Sequence, residues 1–489
     1  MDKQTKKNKM VRVRFAPSPT GYLHVGGLRT YLYNWLFAKK NKGKIILRIE
    51  DTDRQRLVEG ATENLIKILK RIGLPWDEGP FIQSQRVGNY RNLAQKLVEQ
   101  GHAYYCFCTT EELNEMKNKQ IADKQAPQYD RRCRNLTQAE ALEYLRAGKP
   151  HVIRLKVPER GIIKFNDLIR GQIEFDLKNI DDQVLLKSDD WPTYHLANVV
   201  DDHFMKITQV IRGEEWLPST PKHILIYQAF GWEIPEFAHL PLLLNPDHSK
   251  LSKRQGDVAV EDYLGQGYLS KTLINFLALL GWNPGNDQEI FSLKQLTKKF
   301  SLKKIQKAGA IFDRKKLDWL NGYYLRQLPI NKLTKICQPY LIESGLIKEK
   351  EYSFKKIKSI VKLEQERLKK AGEIKELTKF FFQKELEYDA RLLAWKQNTL
   401  EQTGVNLRKI KEELQNISSN CFQVKKFIKK LNGLAKERGN GEIFWSLRVS
   451  LSGEKTSPPP EQIAKILGKE KTLKRIEQAI EKLRKIDDK

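Results

Sequence analysis

Two short segments, far apart in the chain, carry side chains suited to holding a polyphosphate. Tyr22-Leu-His-Val-Gly-Gly27 sets a histidine two residues ahead of a glycine pair. An imidazole N–H beside backbone that a ligand can approach without meeting a Cβ is a donor set for phosphate oxygens. Ser249-Lys-Leu-Ser-Lys-Arg254 concentrates Lys250, Lys253 and Arg254, and clustered cations on a loop neutralise charge developing on a leaving pyrophosphate. Taken singly, the first is also what a surface turn looks like, and the second what a solvated basic face looks like.

The elements around these segments decide whether they can meet. Val11, Val13 and Phe15 alternate with Arg12 and Arg14, a strand pattern, and Pro17 and Pro19 must end that strand. Leu28, Leu32 and Leu36 then recur at helical spacing up to Lys40, so His24, Gly26 and Gly27 fall where a helix begins. A helix start offers unsatisfied N–H groups and a partial positive charge. Lys44 to Ile49 is a continuous apolar run of the kind found in buried parallel strands, with Glu50 and Asp51 at its carboxyl end. Ala61 to Ile72 continues as an amphipathic helix. Downstream, Ile207 to Ile211 reads as a buried strand ending at Arg212, and Leu240 to Asn245 as another that ends near Asn245 and leads to Lys250. Trp191 onward reads as a helix entry, with Tyr194 and Asn198 four apart and on one face. Ligands of open α/β sheets bind outside the carboxyl ends of the strands, which is where His24, Glu50, Arg212 and the lysine loop would all lie.

The His-x-Gly-Gly helix start and the Lys-Leu-Ser-Lys-Arg loop together resemble the two ATP signatures of class I aminoacyl-tRNA synthetases, usually written HIGH and KMSKS. Arg14-Phe-Ala-Pro-Ser-Pro-Thr-Gly21 and Arg48-Ile-Glu-Asp-Thr-Asp53 are similar to the glutamyl-tRNA synthetases of that class, in their bacterial form. Tyr194, Asn198 and Ile211-Arg-Gly-Glu214 match that family's amino-acid pocket. The resemblance implies a Rossmann-type nucleotide-binding domain with an α+β insertion, followed by an all-α anticodon-binding half. It implies ATP with Mg²⁺, L-glutamate and tRNA(Glu) as the reacting partners, and bound tRNA as a condition for forming the adenylate. It implies catalytic roles for His24, Gly26, Gly27, Lys250 and Lys253, with His24, Gly27 and Lys253 on ATP. Arg14, Ser18, Glu50, Tyr194, Asn198 and Arg212 are implied on glutamate, Glu50 receiving the α-amino group. A buried substrate carboxylate needs a countercharge; Arg14 and Arg212 would grip it with guanidinium forks. Glutamine offers no such charge, and sites of this kind discriminate by factors of roughly 10⁴.

Five segments are expected: residues 1–105 and 191–256 as the two halves of the catalytic fold, 106–190 as an acceptor-end-binding insertion, 257–328 as a helical stem-contact domain, and 329–489 as the anticodon-binding domain. Leu273, Phe276, Leu277 and Leu280 make a core stripe in the fourth, and Leu407, Ile410, Leu414 and Ile417, like Leu473, Ile476, Ile480 and Leu483, in the fifth. An all-helical end disfavours a glutaminyl enzyme, whose anticodon domain is a β-barrel, and its presence disfavours the truncated glutamyl-queuosine enzyme. Ser450 and Ser452 stand where the family's usual closing segment has Ala and Thr. The 489 residues carry 88 Lys+Arg against 60 Asp+Glu, a net charge of +28 that suits a protein holding a polyanion. Five cysteines are too few for a disulfide framework. With no membrane-length apolar stretch, a cytoplasmic protein acting as a monomer is expected.

Cys106, Cys108 and Cys133 lie in one short region, and three thiolates are one ligand short of a zinc site. Some members of the family hold zinc here with a ligand two residues after the third cysteine; here that residue is Asn135, a poor ligand. Tyr129 could supply a phenolate. The alternative, towards which Asn135 tilts the reading, is a degenerate site without tightly bound metal. Two other classes compete with the synthetase reading. A catalytically dead tRNA-binding paralogue would lack the paired ATP signatures, and a nucleotidyltransferase on the same fold would need neither paired arginines nor a helical carboxyl half.

Overall fold

β1 (Arg12–Phe15) ends ahead of Pro17, and α1 (Val25–Lys40) begins behind His24, in a computed structural model that describes residues 9–251, 259–348, 352–417 and 424–487. β2 (Lys44–Ile49), α2 (Ala61–Ile72) and β3 (Glu78–Ile82) follow. β2 lies between β1 and β3, parallel to both, with Val13 opposite Ile45 and Phe15 opposite Leu47. Both faces of this sheet are covered, so Arg14 and Arg48 do not look out to water: Arg14 is 3% exposed, and Arg48 is fully buried. Buried guanidinium groups must be partnered, and both find their partners in the site.

α3 (Val87–Glu99) and β4 (Ala103–Cys106) come ahead of the expected α+β insertion, which contains α4 (Thr110–Ala122), α5 (Gln138–Arg146), β5 (Val152–Leu155), β6 (Ile162–Asp167), β7 (Gly171–Asp176) and β8 (Val184–Leu186). β4, β5 and β8 form an antiparallel sheet of their own. The hairpin β6–β7 goes elsewhere. After α6 (Tyr194–Phe204), β9 (Gln209–Gly213), α7 (Thr220–Ala229) and β10 (Glu236–Leu240), the second catalytic sheet has the order β7-β6-β10-β9, with β6 parallel to β10 at Asp167 and Phe237. Thr208 N donates to Arg12 O at 2.9 Å, joining the start of β9 to β1. Strand order therefore runs outward from β1 on one side and from β9 on the other, and a crevice opens at their carboxyl ends.

One expectation is corrected here. The run Leu240–Asn245 is not a single strand ending near Asn245. β10 lies upstream, at Glu236–Leu240, because Pro241 has no N–H with which to continue a central ladder. β11 (Leu243–Leu244) is separate, and Leu244 bridges to Lys250. α8 (Val260–Gln266), α9 (Ser270–Leu279) and α10 (Leu293–Lys299) follow, with Leu273, Phe276, Leu277 and Leu280 buried as expected. β12 (Ala310–Ile311) then pairs with β11.

The described residues divide into two compact units, Met1–Tyr263 with Ser270–Arg314, and Leu264–Leu269 with Lys315–Lys489. The second is built of helices: α11 (Arg314–Arg326) for most of its length, α12 (Ile330–Glu343), α13 (Phe354–Glu364), α14 (Ile374–Phe382), α15 (Leu400–Gln415), α16 (Val424–Arg438), α17 (Asn440–Ser452), α18 (Pro460–Leu467) and α19 (Lys469–Asp487). Leu407, Ile410, Leu414, Ile417, Ile476, Ile480 and Leu483 are buried in one core, with Leu473 packed against it. Ser450 and Ser452 are buried too, each hydroxyl donating back to a carbonyl of its own helix, Leu447 O and Arg448 O, at 2.8 Å. No described helix is long and apolar enough to cross a membrane.

Candidate active site

A cavity of ≈ 490 Å³ occupies the crevice between β1 and β9, and Arg14, Ser18, His24, Gly27, Glu50, Tyr194 and Arg212 all line it. His24 is the N-cap of α1: its backbone is extended, and its Nδ1 accepts the Gly26 N–H at 2.9 Å. That bond puts the proton of the neutral ring on Nε2. The helix start thus presents an imidazole N–H next to its own backbone donors, a combination that suits phosphate. A Cβ on Gly26 would lie 3.2 Å from His24 Nδ1, so glycine here leaves the capping ring undisturbed. Gly26 sits behind the cap rather than in the cavity wall. Lys250 is exposed and does not line the cavity, and Lys253 and Arg254 lie outside the described residues.

Under the cavity floor lies an ion network. Asp202, on α6, accepts from Arg14 Nε at 3.0 and 3.2 Å and from Arg48 Nη1 at 2.7 Å. Arg48 Nη2 reaches Glu50 Oε1 at 2.9 Å and Asn198 Oδ1 at 2.9 Å, and Arg14 Nη2 also donates to Asn198 Oδ1, at 3.1 Å. Asp201 takes Arg86 Nε at 2.8 Å and the Tyr90 hydroxyl at 2.8 Å. Asn198 therefore fixes two arginines instead of facing the cavity. Arg14, with Nε and Nη2 committed, keeps one donor group, Nη1, without a hydrogen bond among the described residues. Burial raises the Glu50 carboxyl above its ordinary range, opposed by Arg48 and Arg14, whereas Asp202 is held low by those same two arginines against the cost of its own burial.

Arg212, at the end of β9, has a different environment. Nε donates to His239 Nε2 at 3.1 Å; Nη1 donates to Tyr194 Oη at 3.2 Å and His223 Nδ1 at 3.2 Å; Nη2 donates to Thr220 Oγ1 at 2.9 Å and Trp216 O at 3.3 Å. All five N–H groups are used, and every acceptor is neutral. No carboxylate of the described residues lies within ion-pair distance. Burial pulls the pKa of this guanidinium down and Tyr194 raises it, yet an arginine stays charged under any ordinary condition. The result is a buried cation, 5% exposed, in the wall of a cavity and without a countercharge in contact.

Arg48, Asp201, Asp202, His223 and His239 carry none of the roles assigned from sequence. Arg48 had a signal: a charged residue inside an otherwise apolar, buried strand has to be paired. Asp202 had one as well, since positions 194, 198 and 202 fall on one face of α6. The histidines around Arg212 had none, because α7 and β10 come together only in three dimensions.

The three cysteines also converge, their sulfur atoms lying within 4.8 Å of one another. Tyr129 Oη is 3.3 Å from Cys106 Sγ and 3.4 Å from Cys108 Sγ, and the Cys108 and Cys133 sulfurs are 3.5 Å apart. Tetrahedral Zn–S bonds of about 2.3 Å place sulfurs about 3.8 Å apart, so the set has the right scale for Zn²⁺. The phenol is its weakest member, since burial and the three sulfurs keep its proton on. Contact with Cys133 and Tyr129 favours the thiolate form of Cys106.

Comparison with known proteins agrees along nearly the whole chain. The family described as tRNA synthetases class I (E and Q), catalytic domain, matches residues 10–319, and the family described as anticodon binding domain matches residues 332–480. The chain is 44% identical over 495 residues to the glutamate–tRNA ligase of Alkaliphilus metalliredigens, covering 97% of this chain and 99% of that one. It is 46% identical over 497 residues to that of Chlorobium chlorochromatii, covering 96% and 98%. The crystal structure of a glutamate tRNA ligase from Elizabethkingia meningosepticum, in complex with its amino acid, is similar with a TM-score of 0.85 at 38% identity, covering 97% of this chain and 99% of that one.

Proposed function

Since the chain belongs to the class I tRNA synthetases for glutamate and glutamine, we propose that its cavity activates L-glutamate with ATP and transfers it to the 3′-terminal adenosine of tRNA(Glu), the reaction of a glutamate–tRNA ligase. The observation that carries this reading is the buried Arg212 guanidinium with only neutral partners, lining the same cavity as the acidic Glu50. A zwitterionic amino acid with an anionic side chain matches both. Its ammonium group takes Glu50, and its side-chain carboxylate takes Arg212 in place of the Trp216 carbonyl and the Tyr194 hydroxyl, the two acceptors whose residues line the cavity. Tyr194, Arg14 Nη1 and Ser18 add hydrogen bonds.

The glutamate α-carboxylate attacks the α-phosphorus of ATP, and pyrophosphate leaves. A ribose hydroxyl of the terminal adenosine then attacks the acyl carbonyl, and AMP leaves. Neither step needs a protein nucleophile. His24 Nε2–H and the first turn of α1 hold the phosphates, Gly27 lets the nucleotide pack closely, and Lys250 and Lys253 stabilise charge on the leaving pyrophosphate. Mg²⁺ arrives on the ATP phosphates and neutralises part of their charge. In this reading residues 106–190 take the acceptor end, 257–328 the stem and 329–489 the anticodon, in a monomeric cytoplasmic protein. Cys106, Cys108, Tyr129 and Cys133 would hold a structural Zn²⁺ that ties β4 to the turn at Cys133, remote from the chemistry.

Pyrophosphate exchange tests the proposal: it should depend on glutamate, require tRNA(Glu), and be at least ~10³-fold weaker with glutamine. Arg212→Ala should raise the glutamate KM at least ~100-fold while tRNA binding persists. Robust exchange with glutamine, or an unchanged glutamate KM in that variant, contradicts the assignment.

A further inference from the structure

The cation in the cavity wall is held from behind by a chain of groups that do not line the cavity. Asp167, at the end of β6, is fully buried, and four N–H groups converge on its carboxylate. Oδ1 accepts from Ile169 N and Arg170 N, both at 2.9 Å; Oδ2 accepts from His239 N at 3.1 Å and His239 Nδ1 at 2.7 Å. Only an acceptor-only group satisfies all four. Because Asp167 takes the Nδ1 proton, the neutral ring of His239 has its lone pair at Nε2, and that lone pair receives Arg212 Nε–H at 3.1 Å. On the other side, His223 Nδ1 accepts from Arg212 Nη1, so the proton of His223 lies on Nε2 and is donated to His195 Nδ1 at 3.1 Å. Burial lowers the pKa of both rings in contact with Arg212, and a second positive charge there would have to face the guanidinium.

We propose that Asp167 and His239 form a positioning relay that sets the imidazole tautomer behind Arg212, and with it the orientation of Arg212 towards the side chain of the amino-acid substrate. The proposal rests on the reading of Arg212 as the carboxylate-binding group. Its logic is that of any carboxylate–imidazole pair: the carboxylate chooses which ring nitrogen bears the proton, and the ring presents the other nitrogen to the group that does the work. If the tautomer were reversed, Nε2–H would point at Arg212 Nε–H, and the guanidinium would turn away. Asp167 is part of the β6–β7 hairpin, so a residue in the middle of the insertion controls how tightly glutamate is held.

The test is aminoacylation of tRNA(Glu) by the full-length protein, with glutamate and ATP varied separately. In Asp167→Asn the amide oxygen goes to the Ile169 and Arg170 N–H groups and, in place of Oδ2, to the His239 backbone N–H that already lies 3.4 Å from Oδ1, while the NH₂ faces His239 Nδ1, which reverses the tautomer. This variant and His239→Leu should raise the glutamate KM about tenfold or more and leave the ATP KM within about twofold. His239→Gln, whose Oε1 stands near the place of Nε2, should stay within about threefold of the parent. In the His239→Gln background, Asp167→Asn should change the glutamate KM by less than about twofold, because no ring remains to be misoriented. Equal losses for glutamate and ATP, or the same Asp167→Asn effect in both backgrounds, would overturn the relay and leave only a structural role. If Asp167→Asn does not fold, the contrast between His239→Leu and His239→Gln decides alone. Arg212→Ala separates the two readings. If it raises the glutamate KM while the relay variants do not, the relay falls and the pocket stands; if it has no effect, both fall.

Discussion

Arg14 and Arg212 come from two different motifs of one family, and they live in opposite surroundings. Arg14 shares Asp202 and Asn198 with Arg48, so its charge is already met, whereas Arg212 touches only neutral groups. Residue types and motif spacing pointed to most of the polar side chains that line one cavity, because a motif records residues whose types and spacing are set together. It does not record what braces them, and Asp167, His223 and His239 lie on three different elements with no common period. A second buried charge belongs to the helical unit. Glu364, at the end of α13, is fully buried, with Oε2 on Arg367 Nη1 at 2.7 Å and Oε1 without a hydrogen bond. Burial lifts its carboxyl to about 7 against the pull of Arg367. The folded state therefore binds this proton at a higher pH than the unfolded chain does. Its stability should rise as pH falls from above 7 towards the ordinary carboxylate range near 4.5. Glu364→Gln should accordingly stabilise the protein by ~1 kcal/mol at pH 8 and by nothing near pH 5. Thermal melts at the two pH values check it, and an equal effect at both would show that the carboxyl does not titrate there.

At the level of elements, agreement was close wherever local chemistry marks an end. α2 runs from Ala61 to Ile72 as read, between Gly60 and Gly73, both with positive φ. Disagreement came where the deciding partner is distant: nothing in Ile162–Asp176 says that its strands pair with β10 rather than with β4 and β5. The start of α1 combines two functions that one substitution separates. His24 caps the helix through Nδ1 and is proposed to bind phosphate through Nε2. In His24→Asn the short carboxamide can still cap, since asparagine is among the best N-cap residues, but the Nε2 donor is lost. The melting temperature should move by no more than ~2 °C, while kcat for glutamate activation falls roughly 10²- to 10³-fold. His24→Ala should lose both. A large loss of stability in the asparagine variant, or full activity, would refute the division of labour.

For the molecule as a whole, the net charge of +28 is the feature that sequence states most plainly and structure localises least. If it serves a polyanion, the KM for tRNA should rise roughly tenfold or more between about 50 and 200 mM salt, through counterion release. The KM for glutamate, governed by a buried contact, should change by less than about twofold over the same range. A tRNA response as flat as that of glutamate would show that the surplus lysines only keep the protein soluble. The placement of the β6–β7 hairpin also bears on how this catalytic half could be re-engineered. Residues 162–176 lie within the inserted stretch yet belong to the strand layer of the nucleotide fold. A chimera that swaps residues 106–190 as one cassette would replace a piece of the recipient's own sheet along with the graft. Viable cut points lie ahead of β4 and on either side of the hairpin, so that the donor supplies β4, β5 and β8 while the recipient keeps its own β6 and β7.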